Sequence, residues 1–246
     1  MEEGSAIDLK LLNSSKFGDL EGVKTALAQG GSVSIVSYQG NTPLCYAASN
    51  GHTDICDLLF MHGSVDVNYK NDKGISPLMI ATLRGHIDTC GLLLVHGADV
   101  NEKDGLGNAL LMIAAHKGYT DICGLLLAHG SNVNEQETQM NTTALDHASS
   151  GGHEATVALL LSWGADVDAQ DYIGFTPISG ASQNGHVACV LSLLKAGASV
   201  TLPGNNGFLP IHFAAQRNQV EIVRILLEHG CSPDVVSGND FSQLPL

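Results

Sequence analysis

The sequence predicts an all-α solenoid of stacked helix–turn–helix units joined by hairpin-like finger loops. One observation is that the tripeptide Thr42-Pro43-Leu44 recurs in similar form. The later copies are Ser76-Pro77-Leu78, Thr176-Pro177-Ile178 and Leu209-Pro210-Ile211. Another is that three columns of glycine recur together every 33 or 34 residues. Such a period is the signature of repeats that bury their apolar faces on one another. The columns are Gly40, Gly74, Gly107, Asn141, Gly174 and Gly207; Gly51, Gly85, Gly118, Gly152, Gly185 and Asn218; and Gly63, Gly97, Gly130, Gly164, Gly197 and Gly230.

Residues 40–73 show what one unit contains. Thr42 predicts an N-cap, and Pro43 follows at the first helical position, where its missing N–H costs nothing. The next residues place small apolar side chains on one face at helical spacing. Gly51 is expected to end this helix in the left-handed conformation. A second helix then runs to Gly63, and an extended segment at 65–68 leads into the next turn.

The helix–turn–helix unit with its T-P-L, A-A, G-H, LL, G and D-V-N signatures resembles the ankyrin repeat. The resemblance covers residues from about 19 to 246. It implies an all-α ankyrin-repeat solenoid that presents finger tips and the exposed ends of its first helices to partners.

The same register predicts the boundaries of the units. The first unit lacks T-P-L and carries polar residues, as expected of a solvent-facing cap. Leu244-Pro245-Leu246 lies 35 residues after the last such tripeptide. We therefore expect a further repeat to begin there and the parent protein to be longer. The predicted units are a cap at 1–38, repeats at 39–72, 73–105, 106–139, 140–172, 173–205 and 206–238, and the start of a truncated repeat at 239–246.

Two repeats depart from the pattern at their first helix. Ala109 and Thr143 are not followed by proline, which predicts looser caps there. Asn141 and Asn218 replace glycine in two columns. Asparagine is the next residue able to enter the left-handed region, so we expect both to adopt it.

The acidic composition of the chain argues against some classes of binding partner. The chain carries 11 Lys+Arg against 25 Asp+Glu, a net charge of −14. Nucleic-acid affinity depends on Lys and Arg, so nucleic-acid binding is not expected. No apolar run approaches the ~18 residues of a membrane span, and the acidic start Met-Glu-Glu-Gly predicts no signal peptide.

Cysteine and histidine follow the repeat grid. Cys56, Cys90 and Cys123 share one column, which predicts buried free thiols and a reducing compartment, cytoplasmic or nuclear. Eight of the 11 histidines occupy two columns, which favours packing over a metal site because zinc needs four ligands around one point. His116 and His147 lie outside those columns. We expect no metal, no cofactor and no catalysis.

The family resemblance places partner-binding residues at positions that vary between repeats. Exposed aromatic residues and Arg often anchor interfaces, although isolated exposed apolar residues are also ordinary. We expect a partner protein or peptide with apolar anchors and acidic residues, and an array that is monomeric in isolation. The candidate residues are Tyr172, Phe175, Phe208, Arg217, Arg84, His116, Lys117, Lys73, Gln183 and Asn184.

The resemblance also implies a modification at Asn101. Asp99-Val100 precede it and Leu93 lies eight residues upstream, as at the asparagine that oxygen-sensing hydroxylases modify in ankyrin repeats. The alternative is that Asn101 closes its own turn by bonding to the backbone.

Four functions remain open. The leading one is an adaptor or scaffold that binds a partner on the concave face. The others are an inhibitory or regulatory subunit of an enzyme, a targeting arm of a microbial effector, and a structural spacer.

Overall fold

The computed structural model describes residues 3–232, with side chains from residue 6 onward, and divides into two compact units. One unit ends at Gly105 and the other begins at Leu106. Within the described residues every regular element is a helix, which confirms the all-α fold class. The predicted repeat beginning at 239–246 lies outside the described residues, and the repeat boundaries stay a prediction.

The N-terminal unit stacks its helices in two layers. α1, α3 and α5 pack in series, and α2, α4 and α6 form the second layer. Each first helix also packs on the second helix of its own repeat. The bounds are α1 (Glu3–Phe17), α2 (Leu20–Ala28), α3 (Pro43–Asn50), α4 (Thr53–His62), α5 (Pro77–Arg84) and α6 (Ile87–Val95).

The C-terminal unit repeats this architecture. α7, α9, α11 and α13 pack in series, and α8, α10, α12 and α14 form the layer behind them. The bounds are α7 (Leu110–Lys117), α8 (Thr120–Ala128), α9 (Ala144–Gly151), α10 (Glu154–Ser162), α11 (Pro177–Asn184), α12 (Val187–Lys195), α13 (Pro210–Gln216) and α14 (Val220–Glu228).

The finger loops are hairpin-like in shape but are not strands in the described residues. Pairs of backbone bonds close the finger tips. The N–H of Gly74 donates to the carbonyl of Asn71 at 2.8 Å, and that of Gly174 donates to the carbonyl of Asp171 at 2.9 Å. The N–H of Asn71 donates to the carbonyl of Ile75 at 3.1 Å, and that of Asp171 donates to Phe175 at 3.0 Å. A finger therefore presents its tip residues on a tight turn with no flanking ladder.

The helix caps explain where the first helices begin. Thr42 Oγ1 accepts the N–H of Cys45 at 3.2 Å. Ala109 has no side chain that can do this, as the sequence predicts. The expectation of a loose cap at Thr143 is wrong, because Thr143 and Asp146 form a reciprocal capping box. Asp146 Oδ2 accepts both the N–H and the hydroxyl of Thr143, at 2.8 and 2.7 Å.

Two asparagines adopt the left-handed conformation that the glycine columns require. Asn141 has φ of 57° and Asn218 has φ of 56°. They are the non-glycine residues with positive φ in the described part of the chain. The sequence prediction is confirmed at both positions.

Buried cysteines form part of the core between the layers. All six are free and buried, and four of them are fully inaccessible in the second helices of their repeats. Burial raises the pKa of Cys56 and of Cys123 to about 12 and the pKa of Cys90 and Cys189 to about 11. These thiols therefore stay protonated and shielded at neutral pH.

We expect the native protein to resist thiol reagents, because the thiolate is the reactive form and none of the six sulfurs lies on the surface. Ellman's reagent at pH 8 should label all six quickly in denaturant and label the native protein only at the rate of unfolding. Rapid release of even one equivalent from the native protein would contradict this expectation.

No helix in the part of the chain that the structure describes has the length and hydropathy of a transmembrane segment.

Candidate functional site

A groove of about 310 Å³ opens between two neighbouring fingers of the C-terminal unit. Its floor is aromatic. The rings of Phe175 and Phe213 meet edge to face with centroids 4.8 Å apart, and Phe208 lies 5.6 Å from Phe213. Such aromatic pairs stabilise one another beyond simple burial. The lining residues are Asp171, Ile173, Phe175, Gln183, Gly204, Asn206 and Phe213.

Hydrogen bonds set the shape of the finger that carries Phe175. Asp171 Oδ1 accepts the N–H groups of Ile173 at 2.9 Å and of Phe175 at 2.7 Å. The next finger is tied to it, because the N–H of Asn205 donates to the carbonyl of Ile173 at 2.9 Å. The two walls of the groove are therefore held together in the free protein, so binding there requires little ordering of the loops.

Gly180 on α11 makes room for the aromatic floor. A Cβ at this position would lie 2.3 Å from Ser150 Oγ and 3.4 Å from the Phe175 ring. The backbone of α11 can therefore approach Phe175 closely, and the ring stays half-buried beside the groove.

Of the three predicted aromatic residues, Phe175 and Phe208 belong to one cluster and Tyr172 does not. Phe175 and Phe208 do come together, but through Phe213. Tyr172 makes no ring contact within the described residues and does not line the groove. Its ring is 68% exposed, and its carbonyl accepts a bond from Asn205 Nδ2 at 2.9 Å.

Sequence reasoning missed Phe213. It occupies the position after His212, in a column that also holds Tyr46, His147 and Gly180. That column changes size and chemistry from repeat to repeat, which is the property expected of a binding position. Its variability was the signal that could have identified Phe213.

The other predicted residues of the C-terminal unit lie at separate places. Gln183 lines the groove. Asn184 donates to the carbonyl of Ser150 at 2.9 Å, and Arg217 is exposed at the end of α13. Lys117 is exposed at the end of α7.

His116 and His147 are neighbours. Their rings meet edge to face with centroids 5.6 Å apart, His116 exposed and His147 half-buried. Burial, with the nearby His116, lowers the pKa of His147. Within residues 3–232 no group of three or more His, Cys, Asp or Glu side chains could hold a metal ion.

The histidine columns serve structure. His86, His153 and His186 each donate through Nε2 to a carbonyl of the preceding repeat, at 3.0–3.2 Å. In the second column, His62 and His129 donate through Nδ1 to the carbonyl four residues back in their own helix.

Asn101 is exposed. The turn beside it is closed by Asp99, whose Oδ1 accepts the N–H of Asn101 at 2.9 Å. Asn68 in the same column makes the equivalent turn bond, because its N–H donates to Asp66 Oδ1 at 3.0 Å. Its side chain also accepts the N–H of Asp99 and donates to the carbonyl of Gly97, at 2.9 and 3.2 Å. Asparagine here can link one finger to the next, a role that the sequence alone does not indicate. Modification of Asn101 stays a prediction.

Lys73 and Arg84, the predicted residues of the N-terminal unit, line one groove together with Lys16. Lys73 lies on a finger tip and Arg84 on the last turn of α5. Both side chains are exposed.

Comparison with known proteins identifies the architecture. A family model described as ankyrin repeats (3 copies) matches residues 11–104, 93–171 and 172–237. The crystal structure of the human ASB11 ankyrin repeat domain is similar, with a TM-score of 0.81 and 26% sequence identity. That match covers 91% of this chain and 98% of the other. No curated protein matches the chain in sequence. Ankyrin repeats are generally protein–protein interaction modules and typically non-catalytic. The chain belongs to the ankyrin repeat family.

Proposed function

We propose that the chain is a non-catalytic adaptor or scaffold module that binds a segment of a partner protein in the aromatic groove of its C-terminal unit. The observation that carries this proposal is the Phe175–Phe213 pair, which floors a groove of about 310 Å³. Aromatic side chains that are already packed in place lose little entropy on binding, and they are common interface anchors.

The chemistry of the groove favours an apolar side chain of the partner. Ile173 on its wall is 50% exposed, and the two rings below it are half-buried. The carboxylate of Asp171 is already engaged by two backbone N–H groups. The Gln183 amide then supplies a polar group for the partner backbone. An apolar anchor beside an exposed main chain fits this arrangement.

A regulatory subunit of an enzyme would use the same groove to block its partner, and a targeting arm would use it to hold one. Addition of the array to the partner, once that partner is known, separates these roles through the partner's activity.

Replacing Phe213 with alanine tests the groove. Dodecapeptides selected by phage display on the wild-type protein should carry an apolar anchor. Phe213→Ala should weaken the best of them by about 30-fold, as expected for a hot-spot aromatic, because it removes half of the floor. Fluorescence anisotropy with the synthetic peptide measures this loss.

Ile173→Ser changes the wall without entering the core and should also weaken binding. Trp163→Ala is the matched control, since Trp163 is an aromatic residue, 48% exposed, at the end of α10. Unchanged affinity in both groove variants, with helicity retained by circular dichroism, would contradict the proposal.

A further inference from the structure

Two adjoining grooves in the N-terminal unit share Lys16, Gln39 and Tyr46. One measures about 690 Å³ and lies between α1 and the first finger; the other measures about 420 Å³ and continues towards α5. Because three residues line both, the two grooves form one continuous surface. This surface shares no lining residue with the aromatic groove of the C-terminal unit.

The smaller groove is basic although the protein is acidic. Lys16, Lys73 and Arg84 line it, and no Asp or Glu does. The chain as a whole has 11 Lys+Arg against 25 Asp+Glu. Within residues 3–232, Lys16, Lys73 and Arg84 form no salt bridge, unlike Lys24, Lys70 and Arg224.

The remaining lining of the smaller groove adds neutral hydrogen-bonding groups. Asn41 and Asn71 bond to each other, Nδ2 to Oδ1, at 2.8 Å. Asn71 Oδ1 also accepts the N–H of Lys73 at 3.0 Å, which fixes the finger tip that carries the lysine. Uncompensated cations beside amide groups are suited to a carboxylate.

The larger groove is lined by exposed apolar side chains. Leu9 is 59% exposed, Val36 44% and Tyr38 91%. Its one acidic lining residue, Asp8, accepts the N–H of Ser32 at 2.9 Å. Apolar residues that stand together on a surface mark a contact site more often than isolated ones do.

Lys16 lies where the basic groove and the apolar groove meet. Its Nζ lies 5.6 Å from the centre of the Tyr46 ring and 5.3 Å from that of Phe17. The Tyr46 hydroxyl donates to Ser37 Oγ at 3.1 Å, which anchors the ring against the finger. The cation is therefore held over an aromatic face beside both the apolar and the basic half.

We propose that this surface binds an extended acidic peptide segment of a partner protein, with carboxylates at Lys16, Lys73 and Arg84 and an apolar side chain at Leu9, Val36 and Tyr38. A small free anion would leave the apolar half empty. A nucleic acid would place further phosphates against the apolar half and against the acidic remainder of a protein of net charge −14, whereas a peptide segment needs acidic side chains only at the three basic residues.

The test uses three fluorescein-labelled pools of dodecapeptides measured by anisotropy. The first contains Asp and Glu with Leu and Phe, the second replaces the acids with Asn and Gln, and the third replaces them with Lys and Arg. We expect the acidic pool to bind the wild-type chain most tightly and to weaken as salt is added. Lys73→Gln/Arg84→Gln should weaken it about tenfold at low ionic strength, and Leu9→Ser/Val36→Ser should weaken it as well.

The matched control is Lys10→Gln/Lys24→Gln. It removes the same two charges from exposed positions of the N-terminal unit that line neither groove. An equal loss in this control would overturn the proposal, because bulk charge would then explain the binding. Equal binding of the three pools, or tighter binding of a labelled single-stranded oligonucleotide, would overturn it too. Phe213→Ala should leave the acidic pool bound, so the outcome here is independent of the C-terminal groove.

Discussion

Replacing Gly118 with alanine is expected to lower the free energy of unfolding by about 3 kcal/mol, the sum of a strained backbone and an overpacked contact. Gly118 ends α7 with φ of 70°, a region that L-residues with a side chain avoid. The added Cβ would also lie 2.5 Å from Nδ1 of His153 in the next repeat. The added methyl group causes both the backbone strain and the steric contact. Urea unfolding followed by circular dichroism measures the sum of the two.

The double variant Gly118→Ala/His153→Ala separates the two costs. Removing the imidazole alone should cost about 1 kcal/mol, because its Nε2 donates to the carbonyl of His116 at 3.1 Å. In the double variant the steric part disappears and the backbone strain remains. The two changes should therefore be less than additive by about 1–2 kcal/mol. Strict additivity would contradict the close approach of ring and glycine.

This contact explains why the repeat architecture is predictable from sequence. The same glycine–histidine pair occurs where a Cβ on Gly51 would meet His86 and one on Gly152 would meet His186. Only one residue at each helix end has to adopt the left-handed conformation. Glycine or asparagine therefore marks it in the sequence, and Asn218 satisfies it with φ of 56°.

The aromatic groove was only partly predictable, because its members are joined by side chains from neighbouring repeats. Phe175 and Phe208 could be placed on finger tips from their register. Their link through Phe213 depends on which way a helical residue points and on the missing side chain of Gly180. A repeat register fixes the backbone position of a residue but leaves open which side chains fill the space between two repeats.

The cap of α9 is another case in which the repeat register predicts a backbone position but not the side-chain contact made there. His212 in the last described first helix accepts the N–H of Leu209 through Nδ1 at 3.0 Å. Asp146 stands in that column and accepts the N–H of Thr143 instead. The sequence shows only that Asp146 and His212 occupy the same column. That the carboxyl replaces the imidazole in capping, and is buried in doing so, becomes evident only in the structure.

Asp146→Asn is expected to stabilise the protein increasingly as the pH rises from 4 to 7. Burial raises the pKa of Asp146 from 3.8 to about 7 against the opposing bonds from Thr143, and Asp171 and Asp166 add to the rise. In the unfolded chain the carboxyl ionises near pH 4, whereas in the folded protein it keeps its proton to about pH 7. The wild type therefore loses stability across this window, by up to about 4 kcal/mol from this group.

Asparagine has the shape of the protonated acid and can accept both bonds from Thr143, but it does not ionise. The free energy of unfolding of Asp146→Asn, less that of the wild type, should therefore rise by about 1.4 kcal/mol per pH unit between pH 4 and 7 and level off above it. Titrating groups that do not interact with Asp146 cancel in this difference. Asp121→Asn, which removes an exposed carboxylate on α8, is the matched control for the loss of one acidic side chain. A flat difference for Asp146→Asn would mean that the carboxyl is ionised in the folded protein at pH 5, because only a proton retained on folding can make stability fall as pH increases.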